Sequence, residues 1–238
     1  MSANGTVLDV RHLRKAFGGV RAVDDVSFAV DGGSLVALIG PNGAGKTTCF
    51  NCINGQLAPD AGTVALHDTH IEGLAPCAIA RKGVGRTFQV AATFASMTVR
   101  ENTEVALRAH GMRPDGADAL LARVGCEDLA DTPCAELAYG NAKRVELALA
   151  LAGAPRLLLM DEPTAGMAPR SRARLMQVAS DLAKHDRIAV LFTEHDMDVV
   201  FAFADRVIVL DHGRIIAEGS PAEVRANAQV REVYLGDP

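Results

Sequence analysis

Gly40-Pro-Asn-Gly-Ala-Gly-Lys-Thr-Thr48 is the stretch that decides the fold. It satisfies the pattern G-x-x-x-x-G-K-[ST], with Gly40, Gly45, Lys46 and Thr47 in the fixed places. An apolar run of strand length, Ser34-Leu-Val-Ala-Leu-Ile39, precedes it, and Thr47-Thr-Cys-Phe-Asn-Cys-Ile53 behind it reads as a helix. Strand, glycine-rich loop and helix in that order make the pattern a phosphate-binding loop rather than a glycine-rich turn. Glycines let backbone N–H groups converge on phosphate oxygens, and a helix N-terminus adds positive potential. Lys46 is placed to reach the β- and γ-phosphates of a nucleotide, and the Thr47 hydroxyl to ligate Mg²⁺.

A second nucleotide motif lies downstream, in Leu157-Leu-Leu-Met-Asp161-Glu162. Four apolar residues deliver a carboxylate to the exit of a buried strand. Asp161 is positioned to hold Mg²⁺ through a water. Glu162, one residue further, is positioned to accept a proton from an attacking water. His195 follows another strand in Leu191-Phe-Thr-Glu-His195-Asp, and Gln89 ends a strand in Gly85-Arg-Thr-Phe-Gln89. Ligands of α/β sheets bind at such carboxyl ends of strands. Read from the residues alone, His195 and Gln89 are equally ordinary strand-end polar residues or parts of the site.

The rest of the chain fits one large domain. Its 238 residues are 49% hydrophobic, enough for a sizeable core. A net charge of −5 argues against a general nucleic-acid binder. No apolar run approaches the roughly 18–20 residues of a membrane span, and the N-terminus lacks a basic segment followed by an apolar core. The 5 cysteines form no disulfide framework. Cys49 and Cys52 stand one helical turn apart behind the phosphate loop, where small thiols pack well and a redox or metal role is not indicated. A soluble, cytosolic chain is the expectation.

Strands are predicted at Val7–Phe17, Val26–Val30, Thr63–Leu66, Leu157–Met160, Ile188–Thr193 and Val207–Leu210, with a last short one ending at Glu218. Helices are predicted at Ala75–Arg81, from Val99 to about Cys126 with breaks at Gly111 and Pro114, at Asn141–Ala152, and near Arg170–Lys184. Strand and helix alternate after the loop, which implies a mostly parallel sheet with helices on both faces. The N-terminal strands read as an antiparallel β edge. Residues from about 90 to 140 read as a helical lobe inserted in the core, and 221–238 as a short C-terminal extension of a single domain.

The phosphate loop, Gln89, Leu137-Ala-Tyr-Gly140-Asn, Asp161-Glu162-Pro163-Thr164 and His195 occur in the order found in the ATP-binding cassette of ABC transporters, which the chain resembles along nearly its whole length. Gly85-Arg-Thr-Phe-Gln89, Ala165-Gly-Met167 and the ending Val233-Tyr-Leu-Gly236 are similar to the ATPase subunits of branched-chain amino-acid importers. That resemblance implies an α/β P-loop cassette that binds ATP and Mg²⁺ and hydrolyses ATP to energise an importer. It assigns ATP contacts to Phe17, Gly40, Asn42, Gly43, Gly45, Lys46, Thr47 and Thr48, with Phe17 stacking on adenine. It assigns the metal to Thr47, Gln89 and Asp161, and catalysis to Glu162, His195 and Gln89. Cassettes of this family bind ATP between two head-to-tail protomers, each site completed by the other chain's signature, here Leu137, Ala138, Tyr139, Gly140 and Asn141. The implied partners are transmembrane permease subunits, a second ATPase subunit and, indirectly, a periplasmic or extracellular solute-binding protein. The implied location is the cytoplasmic face of the membrane, as a peripheral subunit.

The signature departs from the family pattern. Leu-Ser is usual where this chain has Leu137-Ala138; glutamines are usual at Asn141 and Ala142, and Asn or Asp at Ala168. Residues that serve the chain's own site are intact, whereas those that serve the opposite site are altered. That asymmetry favours pairing with a different cassette over a homodimer. Two other readings stay open: a cassette ATPase outside transport, and a regulatory nucleotide-binding subunit that hydrolyses weakly. His67 and His70 are read as hairpin residues, Arg170, Arg172 and Arg174 as a solvated helix face, and Lys143-Arg144 as facing solvent or a partner protomer.

Overall fold

Alternation of apolar and polar residues makes the first two strands of the protein, β1 (Thr6–Phe17) and β2 (Val20–Asp31), in a computed structural model that describes residues 5–87 and 93–235. The polar residues ahead of Val26 were expected to connect two strands; they belong to β2. Gly18-Gly19 forms a two-residue turn with Phe17 paired to Val20, so pairing runs back to the turn; Arg21 and Asp25 fall on exposed positions, while Asp24 is buried and accepts from Arg214 Nη2 at 2.6 Å. The continuously apolar β3 (Leu35–Ile39) leads into the phosphate loop and α1 (Lys46–Ile53). A hairpin of β4 (Ala61–Leu66) and β5 (Thr69–His70) follows, with His67 at its turn, then α2 (Pro76–Arg81) and β6 (Val84–Thr87).

The next block is helical. Thr98 and Glu101 form a reciprocal capping box that starts α3 (Val99–Ala109); a 3-10 turn at Pro114–Gly116 leads to α4 (Ala117–Arg123), and α5 (Tyr139–Leu151) follows. Strands and helices then alternate: β7 (Leu157–Asp161), α6 (Pro169–Asp186), β8 (Ala189–Thr193), α7 (Met197–Phe203) and β9 (Arg206–Asp211). The chain closes with β10 (Arg214–Gly219), α8 (Pro221–Ala226) and α9 (Ala228–Leu235). Two of these last helices occupy the region read as a short extension, and α7 was not foreseen.

Two sheets result. One is antiparallel, in the order β2-β1-β4-β5; the other runs β10-β9-β3-β8-β7-β6, parallel from β9 to β6, with β10 antiparallel on one edge. Along β3 the side chains divide between two cores. Leu35, Ala37 and Ile39 join the core shared with α3 to α7, and Val36 and Leu38 join the core beneath the antiparallel sheet and α1. Both faces of the parallel sheet are therefore covered, which is why its strands read as unbroken apolar runs. Cys49, Phe50, Cys52 and Ile53 fill the second core from α1. Burial pushes the Cys52 thiol up to about 11 and that of Cys49 still higher, so both remain protonated packing groups. Among the described residues no helix is long and apolar enough to cross a membrane.

Candidate functional site

β3 ends at the phosphate loop, and its glycines are required by contact. A Cβ on Gly45 would lie 2.1 Å from the Ala22 carbonyl oxygen, and one on Gly40 would lie 2.2 Å from that of Leu210. Gly45 also has φ +106°, a conformation that L side chains rarely adopt. The loop is thus pressed between β2 and the end of β9, and Gly213 N–H closes the cage by donating to Ala44 O at 2.9 Å. The N-cap of α1 is Gly45, which offers no side-chain cap to the helix's first N–H groups.

Lys46 is nearly buried and bends back over the loop, donating from Nζ to Gly40 O at 2.6 Å and Pro41 O at 3.0 Å. Burial lowers its pKa, while the charges of Glu162 and Asp161 oppose that shift. Asn42, Gly43 and Thr47 are exposed along the same loop, and Thr48 is half-buried.

Asp161 and Glu162 leave the neighbouring strand end. Asp161 Oδ1 accepts from Thr193 Oγ1 at 2.8 Å, and Oδ2 faces Arg86 Nη2 at 3.5 Å. Glu162 has φ +46°, strained for a residue with a long side chain, at a cost of about 1–3 kcal/mol. Its N–H is held by Thr193 O at 3.2 Å and Thr193 Oγ1 at 3.0 Å. The strained backbone aims the carboxylate at the next strand end, where Glu162 Oε1 lies 2.8 Å from His195 Nε2. Asp161, Glu162 and His195 therefore converge, as the sequence suggested. Gln89 lies outside the described residues.

Phe17 caps the β1–β2 hairpin with 49% of its surface exposed, and Lys15 Nζ sits 5.6 Å from its ring centroid. An aromatic face open to solvent at that position suits a flat base. Leu137 and Ala138 lead into α5 and Tyr139 to Asn141 form its first turn, with Ala138 and Tyr139 exposed. Ala138 is the N-cap of α5 and Ala168 the N-cap of α6, and neither helix has a side-chain cap. Two of the four departures from the family pattern thus sit where Ser, Asn or Asp would also have capped a helix.

Two expectations are overturned. Lys143 and Arg144 do not face solvent or a partner; both are buried. Helix α5 packs against α3, α4, α6 and β6, so its polar positions must pair internally. Lys143 Nζ donates to Glu146 Oε2 at 3.1 Å, while Arg144 donates to Val124 O at 3.1 Å, to Gly125 O, and to Asn141 Oδ1 at 2.7 Å. Arg170 and Arg174 are exposed as expected, but Arg172 is half-buried and paired with Asp196. Arg86 was noted only as part of a sequence mark. It bridges Asp161 to Asn51 Oδ1 at 3.1 Å and Gln56 Oε1 at 2.8 Å, linking the carboxylate end of β7 to α1. It also lines a cleft of about 370 Å³ between α2, β6 and α5, together with Cys77, His110 and Glu146.

A phosphate-shaped loop facing paired carboxylates across the carboxyl edge of a parallel sheet is the arrangement of phosphate-loop nucleotide hydrolases, and the chain falls in that class. The match is closer than the class. The family model described as "ABC transporter" covers residues 23–165, and one described as "Branched-chain amino acid ATP-binding cassette transporter" covers residues 214–238. The chain belongs to the ABC transporter ATP-binding family. It is 39% identical to the high-affinity branched-chain amino acid transport ATP-binding protein LivG of Salmonella typhimurium, over 97% of this chain and 98% of that one. It is 36% identical to BraF of Pseudomonas aeruginosa, described in the same words, at the same coverage. Among solved structures, the ADP conformation of MJ1267, an ATP-binding cassette of an ABC transporter, superposes with a TM-score of 0.88 at 32% identity, over 98% of this chain and 99% of that chain.

Proposed function

We propose that this chain is the ATP-hydrolysing subunit of an importer for branched-chain amino acids or related small polar solutes. The observation that carries the reading is the 2.8 Å contact between Glu162 and His195 beside a phosphate loop, in a chain aligned end to end with branched-chain transport ATPases. Lys46, Gly40, Asn42, Gly43, Gly45 and Thr48 bind the ATP phosphates, and Phe17 stacks on the base. Thr47 and Asp161 supply oxygen donors that fit Mg²⁺, which prefers hydroxyl, carboxylate and phosphate oxygens. Gln89 would join them as a ligand, and the ion held there would supply charge neutralisation for the transferred phosphoryl group. Glu162 accepts the proton of the attacking water, and His195 holds that carboxylate in place while its ring faces the γ-phosphate.

The whole of 1–238 acts as one cassette, with the lobe of about 90–140 inserted in the nucleotide-binding core. It sits peripherally on the cytoplasmic face of the membrane, where the inter-lobe cleft beside Arg86 and the exposed Phe94 receive permease subunits. The solute-binding protein acts through those subunits and not on this chain. Ala138 and Ala168 favour a second, different cassette as partner. In that pair the weakened site is the partner's phosphate loop facing Ala138, and this chain's own site is completed by an intact partner signature.

The test is ATP turnover by the chain assembled with its permease. Glu162→Gln should retain ATP binding and lose roughly 10²–10⁴-fold in kcat, the range for loss of a general base. Turnover by Glu162→Gln at the wild-type rate would sink the assignment. A wild-type complex that binds ATP without turning it over would instead favour the regulatory reading.

A further inference from the structure

Glu194 stands between β8 and His195, and only 3% of it is exposed. A carboxylate removed from water needs donors for its oxygens. Oε1 accepts from Thr164 N–H at 2.8 Å and from the Thr164 hydroxyl at 2.7 Å; Oε2 accepts from His195 N–H at 3.3 Å. Thr164 is itself 2% exposed and lies in the turn that runs from Glu162 to the N-cap of α6. One residue beyond the histidine, Asp196 pairs with Arg172 of α6 and caps α7 by accepting from Asp198 N–H at 3.1 Å and Val199 N–H at 3.4 Å. His195 is thus flanked by two anchors, both made to the segment following Glu162.

We infer that Glu194 is a positioning residue for hydrolysis: it ties the His195 backbone to the turn at Thr164, so that displacement of this turn carries the histidine with it. The inference rests on the ATPase reading above. The turn ends at Ala168, one of the positions that face the opposite protomer in that reading. A partner cassette pressing on the turn would therefore set the distance between His195 and Glu162, and the ATPase would respond to closure through a buried carboxylate.

The two oxygens have separate duties, which makes glutamine informative. In Glu194→Gln one oxygen remains to accept from Thr164, and the amide NH₂ meets the His195 N–H, donor against donor. The tether to the turn survives and the tether to the histidine is lost. In the assembled transporter, Glu194→Gln should lower kcat about 10- to 100-fold, the equivalent of one charged hydrogen bond. KM for ATP should stay within about threefold, because the phosphate loop is untouched. Thr164→Val should lower kcat in the same way, Thr164→Ser should recover most of that loss, and the double variant should be no slower than the worse single one. A merely structural role would instead lower the melting temperature and kcat together, with losses that multiply in the double variant, and that outcome overturns the inference. So does a Glu194→Gln complex within about twofold of wild type, far short of a lost charged hydrogen bond. A wild-type complex with no turnover overturns the ATPase reading and this inference with it; wild-type turnover matched by Glu194→Gln overturns this inference alone.

Discussion

Ala138→Ser changes two things at once, and the structure says how to separate them. Ala138 is the N-cap of α5, with no side-chain acceptor for the helix's first N–H groups. A serine there supplies one, stabilising the fold by about 0.5–2 kcal/mol. For a chain of 238 residues each kcal/mol raises the melting temperature by about 2–4 °C, so a rise of about 1–8 °C is expected. In the proposed heterodimer the same hydroxyl would also reach the γ-phosphate held by the partner's loop, an interaction of about 1.5–3 kcal/mol, or roughly 10- to 100-fold at that site. Turnover of the whole complex should rise only modestly, because the other site is already complete. Ala138→Asp caps α5 as well as serine does but sets a carboxylate against the γ-phosphate. The two variants should therefore melt alike and hydrolyse differently, with serine above wild type and aspartate below. Melting is followed on the isolated chain without nucleotide, turnover on the reconstituted transporter. Serine and aspartate shifting turnover in the same direction would refute the placement of residue 138 at a phosphate. Unchanged melting in both would refute the cap.

The buried Lys143–Glu146 pair gives a different kind of test: Lys143→Met takes a cation away from a buried carboxylate and should cost up to about 3–5 kcal/mol, whereas Lys143→Met with Glu146→Leu should recover most of it. Chemical denaturation of the two variants checks this, and equal losses in both would show that the pair is not what matters. Of the 5 cysteines, Cys77 alone is exposed, so a thiol reagent should modify one site per native chain and the rest only on unfolding. Mass spectrometry of the briefly treated native protein decides the point, and rapid loss of Cys49 or Cys52 would contradict their burial.

What the sequence disclosed was local. The phosphate loop, Asp161, Glu162 and His195 were legible because each is a short pattern tied to a strand end, and the strand ends of one parallel sheet meet at one edge. The long reach of β2 was hidden because the charged residues Arg21, Asp24 and Asp25 read as loop, although Asp24 is buried against Arg214. Lys143 and Arg144 misled for the opposite reason: adjacent charges suggest solvent, and only the packing of α5 on four neighbours puts them inside. The contacts of Arg86 and Glu194 leave no local trace, since Asp161 lies 75 residues from the first and Thr164 lies 30 from the second. Helix α8 was readable in principle. Ser220 and Glu223 form a capping box around Pro221, a start signal that composition alone obscures. Helix α7, only 7 residues long, has Asp196 as its cap and too little length for a period to emerge.

The left-handed backbone at Glu162 has a consequence for how the chain tolerates change. Asparagine occupies that conformation at lower cost than glutamate, without the added freedom that glycine brings to the unfolded chain. At this residue folding and the proposed general-base role favour different side chains. Selection for stability alone would push the position away from glutamate, and selection for the proposed role would hold it there. A dead cassette that outlasts the living one is accordingly a single substitution away, and the lacing of the Glu162 N–H to Thr193 is what keeps the active form affordable.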